Sequence, residues 1–251
     1  MYKPMLQAHR GVSTEYPENT MAAFRAAIAQ GYDTIELDPN YTADGELVIL
    51  HDATLNRTAR RADGSTIPSP LAVAQLTLEE ARSFDYGIAF GEVFKGEPIP
   101  LLEDALRLAE EHHIPVKIDN KIERFPADIT EKLYALIEQY ETTAALTSGK
   151  VELIHFYAKR FPRAQLHYDG PVNADILQEL APYRGRLMVW LPYQCALTTW
   201  VKVPFADETL CAAVKEVAEL GVWIINDPEH HADVCARFAP DIVETTGAIK
   251  P

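Results

Sequence analysis

The chain has 251 residues, 47% of them apolar, and a formal net charge of −14. This is enough chain for one sizeable core, and the charge disfavours nucleic acid and anionic membranes as partners while suiting a divalent cation. Three cysteines, Cys195, Cys211 and Cys235, are widely spaced with no C-x-x-C pair, which argues against a disulfide framework or zinc ribbon and for a reducing, cytoplasmic setting. No run of about 18 apolar residues occurs, so no stable membrane insertion is expected.

In chain order, short apolar runs alternate with helical patterns. Residues 5–8 read as a strand ending at His9-Arg10-Gly11, followed by a helix over 19–30 with Gly31 just past its end. Residues 34–38 form the second strand. The Asp44-Gly45 turn makes 47–50 a hairpin arm or ordered loop running into His51-Asp52. Residues 53–98 are loop-rich around a short helix near 77–83. A helix over 102–112 and a strand over 116–120 follow. Further strands are expected near 143–147, 164–168, 186–190, 222–225 and 241–244. Helices are expected at 127–140, 149–160, 173–182, 207–220 and 229–238. The helix at 207–220 takes Asp207 as N-cap and Gly221 as its stop. With no linker, repeat or low-complexity tract, eight such strands predict an α/β fold, a single-domain (β/α)8 TIM barrel over 1–251. A doubly wound sheet is the alternative, but no G-x-G-x-x-G follows the first strand.

A barrel carries its chemistry at the C-terminal ends of its strands. Here those ends hold His9 and Arg10, then Glu36 and Asp38, then Asp119 and Lys121, with Trp190, Asn226 and Glu244 or Thr245 further on. Glu36 and Asp38, two apart, share one strand face, where like charges repel unless a cation stands between them. Carboxylates without clustered cysteine or histidine suit a hard cation, Mg²⁺ or Ca²⁺. Arg10 and Lys121 would add positive charge for an anion such as phosphate, and His9 and His51 can exchange protons near neutrality. Together these groups are what in-line cleavage of a phosphodiester requires.

The stretch HRGVSTEYPENTMAAFRAAIAQGYDTIELDPNYTADGELVILHDATLNRT, residues 9–58, resembles the signature of the glycerophosphodiester phosphodiesterases, through HRG, PENT, E-x-D, T-x-D-G, HD and RT. Weaker similarity continues in PLLEDALRLAE, IDNK and WIIND. The spider-venom-type phospholipases D share this barrel and site plan. The resemblance implies a TIM barrel with an insertion between strands 2 and 3, here about 53–110. It also implies divalent-metal-dependent hydrolysis of glycerophosphodiesters to sn-glycerol 3-phosphate and an alcohol. By motif position, His9 and His51 become the acid/base pair, Glu36, Asp38 and Asp119 the metal ligands, and Arg10 and Lys121 the phosphate contacts.

Three departures bear on metal and substrate preference. Asp119-Asn120-Lys121 stands where the family has Glu-Ile-Lys, Ser148-Gly149 replaces Ser-Phe, and VETTG replaces the usual Thr-Asp. Around this set, Asn19 is a candidate cap for the first helix, Glu18 a brace for Arg10, and Asp52 an orienting partner in the loop. Trp190 and Asn226 are candidate substrate contacts, with core packing an equal alternative for Trp190 and Trp223. The pairs His112-His113 and His230-His231 are expected on the surface, since adjacent helical residues diverge by about 100°. Alternatives are a phospholipase-D-like attack on lysophospholipids, favoured by an apolar rim at Phe84, Phe90 and Phe94, or a non-catalytic phosphate-binding barrel.

Overall fold

The computed structural model describes residues 3–193 and 204–251, so Cys195 lies outside them. Eight parallel strands close into a barrel: β1 (Met5–His9), β2 (Thr34–Leu37), β5 (Val116–Ile118), β6 (Ala144–Ser148), β7 (Leu166–Tyr168), β8 (Leu187–Pro192), β9 (Glu219–Trp223) and β10 (Ile242–Thr245). Barrel closure is direct, with Met5 beside Ile242 and Ala8 beside Thr245. Between successive barrel strands run α1 (Met21–Gln30), α3 (Leu102–Glu111), α4 (Ala127–Gln139), α5 (Val151–Arg160), α6 (Ala174–Leu180), α7 (Glu208–Lys215) and α8 (Pro228–Phe238). Among the described residues no helix is long and apolar enough to cross a membrane.

Period-2 alternation sorts each strand into two faces. Leu6, Ala8, Ile35, Leu37, Val116, Ile118, Leu166, Val189, Leu220 and Val243 point outward into one continuous core with the helices. The inward set is polar. Gln7, Glu36, Lys117, Thr147, His167 and Glu244 are all buried, beside a small apolar cluster of Met188, Trp190 and Ile242. Barrel interiors are usually layered with Val, Ile and Leu; this one is a layer of charge and hydrogen bonds.

The hairpin β3 (Pro39–Tyr41) and β4 (Leu47–Ile49) pairs outside the barrel, as the Asp44-Gly45 turn predicts. It opens a long excursion that includes the one-turn helix α2 (Leu78–Ala81) and has its own cluster of Val48, Leu50, Leu55, Val73, Tyr86 and Ile99. The excursion therefore begins before residue 53. It ends before α3, which packs its Leu102, Ala105 and Leu106 into the main core and serves as the barrel helix after β2.

Expected boundaries move at α1, α7 and β9, the last found at Glu219–Trp223 and not 222–225. Helix α1 starts at Met21, because the Thr20 hydroxyl, not Asn19, accepts from the Ala23 N–H. Helix α7 keeps its Asp207 cap but stops at Lys215, and Gly221 is the middle of β9 instead of a helix stop. The reason is steric: a Cβ on Gly221 would lie 2.4 Å from the Trp190 indole. The glycine makes room for a large ring inside the barrel. Gly221→Ala should therefore destabilise the fold by about 1–3 kcal/mol through overpacking, read as a lowered urea midpoint with an unchanged slope.

His167 supplies a pH-linked stability. Burial, with Lys117 nearby, lowers its pKa to about 3, and its Nδ1 accepts from Trp190 Nε1 at 3.1 Å. The unfolded chain binds a proton at His167 below pH about 6.5, whereas the folded chain does so only near its lowered value. This contribution is present above pH 6.5 and declines as pH falls toward 3, by about 1.4 kcal/mol per unit at most. His167→Gln should flatten this part of a stability–pH curve measured by urea unfolding.

Candidate functional site

The C-terminal ends of the strands open into a cavity of about 710 Å³, lined by His9, Arg10, Glu36, Asp38, His51, Asp52, Lys117, Asp119, Lys121, Asp169, Trp223 and Glu244, among others. That volume lies within the usual range for small-molecule sites. Residues from β1, β2, the hairpin excursion, β5, β7, β9 and β10 converge there.

His9 ends β1 beside Glu36 in register, with its Nε2 3.9 Å from Glu36 Oε2. Burial lowers its pKa to about 4, although the Glu244 charge opposes this. At neutral pH the imidazole is uncharged, and its Nδ1 has no hydrogen-bond partner among the described residues. Arg10, at φ 59, turns the chain so that its backbone N–H reaches Glu36 Oε2 at 3.0 Å. Its guanidinium spans Asp38 at 3.2 Å and Glu18 at 2.9 Å.

Asp38 is the most tightly engaged carboxylate. Lys121 Nζ lies 2.5 Å away, and the Asn19 amide donates at 2.7 Å. Burial alone would raise its pKa, but Lys121 and Arg10 hold it far below the usual carboxylate range. Asn19, placed at φ 57, thus orients Asp38 and does not cap α1. Lys121 also donates to the His51 carbonyl at 2.7 Å, which pins the loop carrying that histidine. His51 Nδ1 meets Asp52 Oδ1 at 2.6 Å. Arg57 then ties Asp52 to Glu18 with contacts of 2.6 Å to each, so the excursion and the loop after β1 are linked through Glu18.

Glu36 and Asp119 carry the charge that is least relieved. Burial comes first in raising both, and neighbouring carboxylates add to it: Asp38 and Glu244 for Glu36, Asp38 for Asp119. An oxygen-only, mutually repelling set, with Glu36 and Asp38 buried and Asp119 partly exposed, fits a hard cation. Glu36, Asp38 and Asp119 are the residues that would hold one. Among the described residues no three such side chains are already gathered as a ligand group, and Lys121 lies on Asp38.

Two expected contacts are not at the cavity. Trp190 is fully buried, in the barrel interior instead of the cavity lining, with Lys117 Nζ 4.2 Å from its ring centroid. Asn226 is spent on the end of β10 and the residue after it, where its side-chain oxygen accepts from the Thr245 hydroxyl and from the Thr246 N–H and hydroxyl. Trp223, the alternative aromatic, does line the cavity. His112, His113 and His230 are exposed, and His231 is half-buried against Cys235.

Lys117 and Asp169 were not expected in the cavity. Lys117 stands two residues before Asp119 and so shares its face, a signal legible in VKID. Asp169 directly follows β7; its Oδ2 accepts from the Asn120 amide at 2.8 Å. Burial raises its pKa to about 6, with Lys117 opposing.

A closed barrel thus gathers two histidines, the cations Arg10, Lys117, Lys121 and Arg124, and a carboxylate cluster around one cavity. The chain belongs to the glycerophosphoryl diester phosphodiesterase family, whose model matches residues 9–182. It is 43% identical over 140 residues to the glycerophosphodiester phosphodiesterase of Caldanaerobacter subterraneus, covering 55% of this chain and 54% of that enzyme. The chain thus aligns with about half the length of that relative. It is 33% identical over 186 residues to the Bacillus altitudinis glycerophosphodiester phosphodiesterase, covering 71% and 72% of the two chains. Its fold matches an Oleispira antarctica phosphodiesterase, solved in complex with the product sn-glycerol-3-phosphate, at TM-score 0.75 and 19% identity over 98% of this chain and 94% of that one.

Proposed function

We propose that this protein hydrolyses glycerophosphodiesters to sn-glycerol 3-phosphate and an alcohol, with His9 and His51 as the proton carriers and a divalent cation at Glu36, Asp38 and Asp119. The observation that carries this reading is the joint placement of both histidines and the acidic cluster around one cavity, in a chain of this family. When bound, the cation supplies positive charge against the phosphoryl oxygens. Arg10 and Lys121 orient the phosphate from the same side. His9, kept neutral by burial, accepts the proton of an attacking water. As the phosphorus–alcohol bond breaks, His51, oriented by Asp52, gives a proton to the departing oxygen.

A second reading, cleavage of lysophospholipids, has one observation in its favour. Phe90 and Val93 are exposed at 45% and 85%, and the Phe90 ring meets Phe94 edge to face, while Phe94 lies tilted against Tyr16. Phe84 does not join this exposed apolar group; it packs into the apolar cluster of the excursion.

The test is release of glycerol 3-phosphate from the choline, ethanolamine, inositol and glycerol diesters, with Mg²⁺, Ca²⁺ or EDTA. Metal-dependent release is expected. Turnover confined to lysolipids selects the second reading, and binding of phosphate without any turnover selects a non-catalytic barrel.

A further inference from the structure

Among the described residues, Lys117 is the one cavity cation whose seat lies inside the barrel. Its side chain is only 7% exposed, and its Nζ lies 3.2 Å from Glu244 Oε2. The same ammonium stands over the Trp190 ring at 4.2 Å. Both supports are themselves fixed. Gln7 donates to Glu244 from the neighbouring strand, while Trp190 is held by His167 and by the space at Gly221. Lys117 is beside Glu36 in the β2–β5 register and two residues before Asp119 on the same face. Parallel neighbours stand about 4.8 Å apart, so a buried positive charge sits on the strand next to Glu36 and two residues before Asp119, two of the three carboxylates of the proposed cation site.

We propose that Lys117, seated on Glu244 and Trp190, is a positioning residue that sets the affinity of the site for a divalent cation. It partly neutralises Glu36 and Asp119, which keeps the acidic cluster assembled before a cation arrives. It also opposes the incoming charge, which keeps the bound cation exchangeable. The inference rests on the cation-binding part of the proposed function. A unit charge a few ångströms from a divalent ion changes its affinity by about tenfold or more, even at the effective dielectric of a protein interior. Glu244, of opposite sign at the same depth, must act in the opposite direction.

The experiment is calorimetric titration of Mn²⁺ and Mg²⁺ into the full chain at fixed ionic strength, for wild type, Lys117→Met, Glu244→Gln and the double variant Lys117→Met/Glu244→Leu. Melting in EDTA confirms that each is folded. Lys117→Met should bind Mn²⁺ about tenfold more tightly, with a lower melting temperature in EDTA and a larger rise on adding metal. Glu244→Gln should bind more weakly than wild type, and the charge-balanced double variant should lie close to wild type. Should Lys117→Met fail to fold, weaker binding by Glu244→Gln than by the double variant carries the same conclusion. Unchanged or weakened binding by folded Lys117→Met, or shifts of the same sign for both single variants, would overturn the inference alone. Absence of binding heat in wild type and all variants would overturn it together with the cation site.

Discussion

His9→Gln is expected to lower turnover of a glycerophosphodiester by about 10²–10⁴-fold, the usual contribution of a positioned proton carrier, while leaving KM near the wild-type value. Glutamine fills much of the imidazole volume and keeps a polar atom at the end of β1, but it cannot accept a proton at neutral pH. The expectation follows from the site: burial lowers the His9 pKa to about 4, and its Nδ1 lacks a hydrogen-bond partner among the described residues. Arg10 and Lys121, which face the phosphate in this account, are untouched by the change. Steady-state kinetics with glycerophosphocholine separates the two parameters. A rise in KM with kcat retained would assign His9 to binding instead of proton transfer.

Asp38→Ala is expected to destabilise the fold by about 3 kcal/mol at pH 7, as removal of one partner from a buried ion pair does. Asp38 is 1% exposed and joins Lys121, Arg10 and Asn19. Lys121 and Arg10 keep Asp119, Glu18 and the His51 carbonyl as partners, which holds the cost toward the lower end of that class. The sign of the pH effect is fixed. The folded pKa lies below the unfolded value near 3.9, so Asp38 stabilises fully above pH 4 and loses that contribution as pH falls further. The gap between wild type and variant in urea unfolding should therefore be wide at pH 7 and narrower at pH 3. Activity should fall as well, because Lys121 would no longer be tethered between Asp38 and the loop of His51.

The placement of the candidate residues was largely legible because they lie in one fifty-residue stretch and at strand ends, where period 2 and barrel topology determine which way they face. His9, Arg10, Glu36, Asp38, His51, Asp119 and Lys121 all reach one cavity. What sequence patterning could not give was the depth of each inward residue. Trp190 and Lys117 both point inward, yet the tryptophan fills the barrel and the lysine lines the cavity, because Gly221 on β9 leaves space at the level of the ring. The same glycine reads as a helix stop when its partner across the barrel is unknown. Asn19 reads as a cap for a similar reason. Its positive φ aims the amide at Asp38, a contact 19 residues distant that no local pattern encodes.

The most direct test of the central claim is a ³¹P spectrum of glycerophosphocholine incubated with the protein and Mg²⁺ in ¹⁸O-enriched water. The account predicts loss of the diester signal and growth of sn-glycerol 3-phosphate carrying one ¹⁸O on phosphorus, both abolished by EDTA. A diester signal unchanged for every head group, or a cyclic phosphate as the accumulating product, would contradict it.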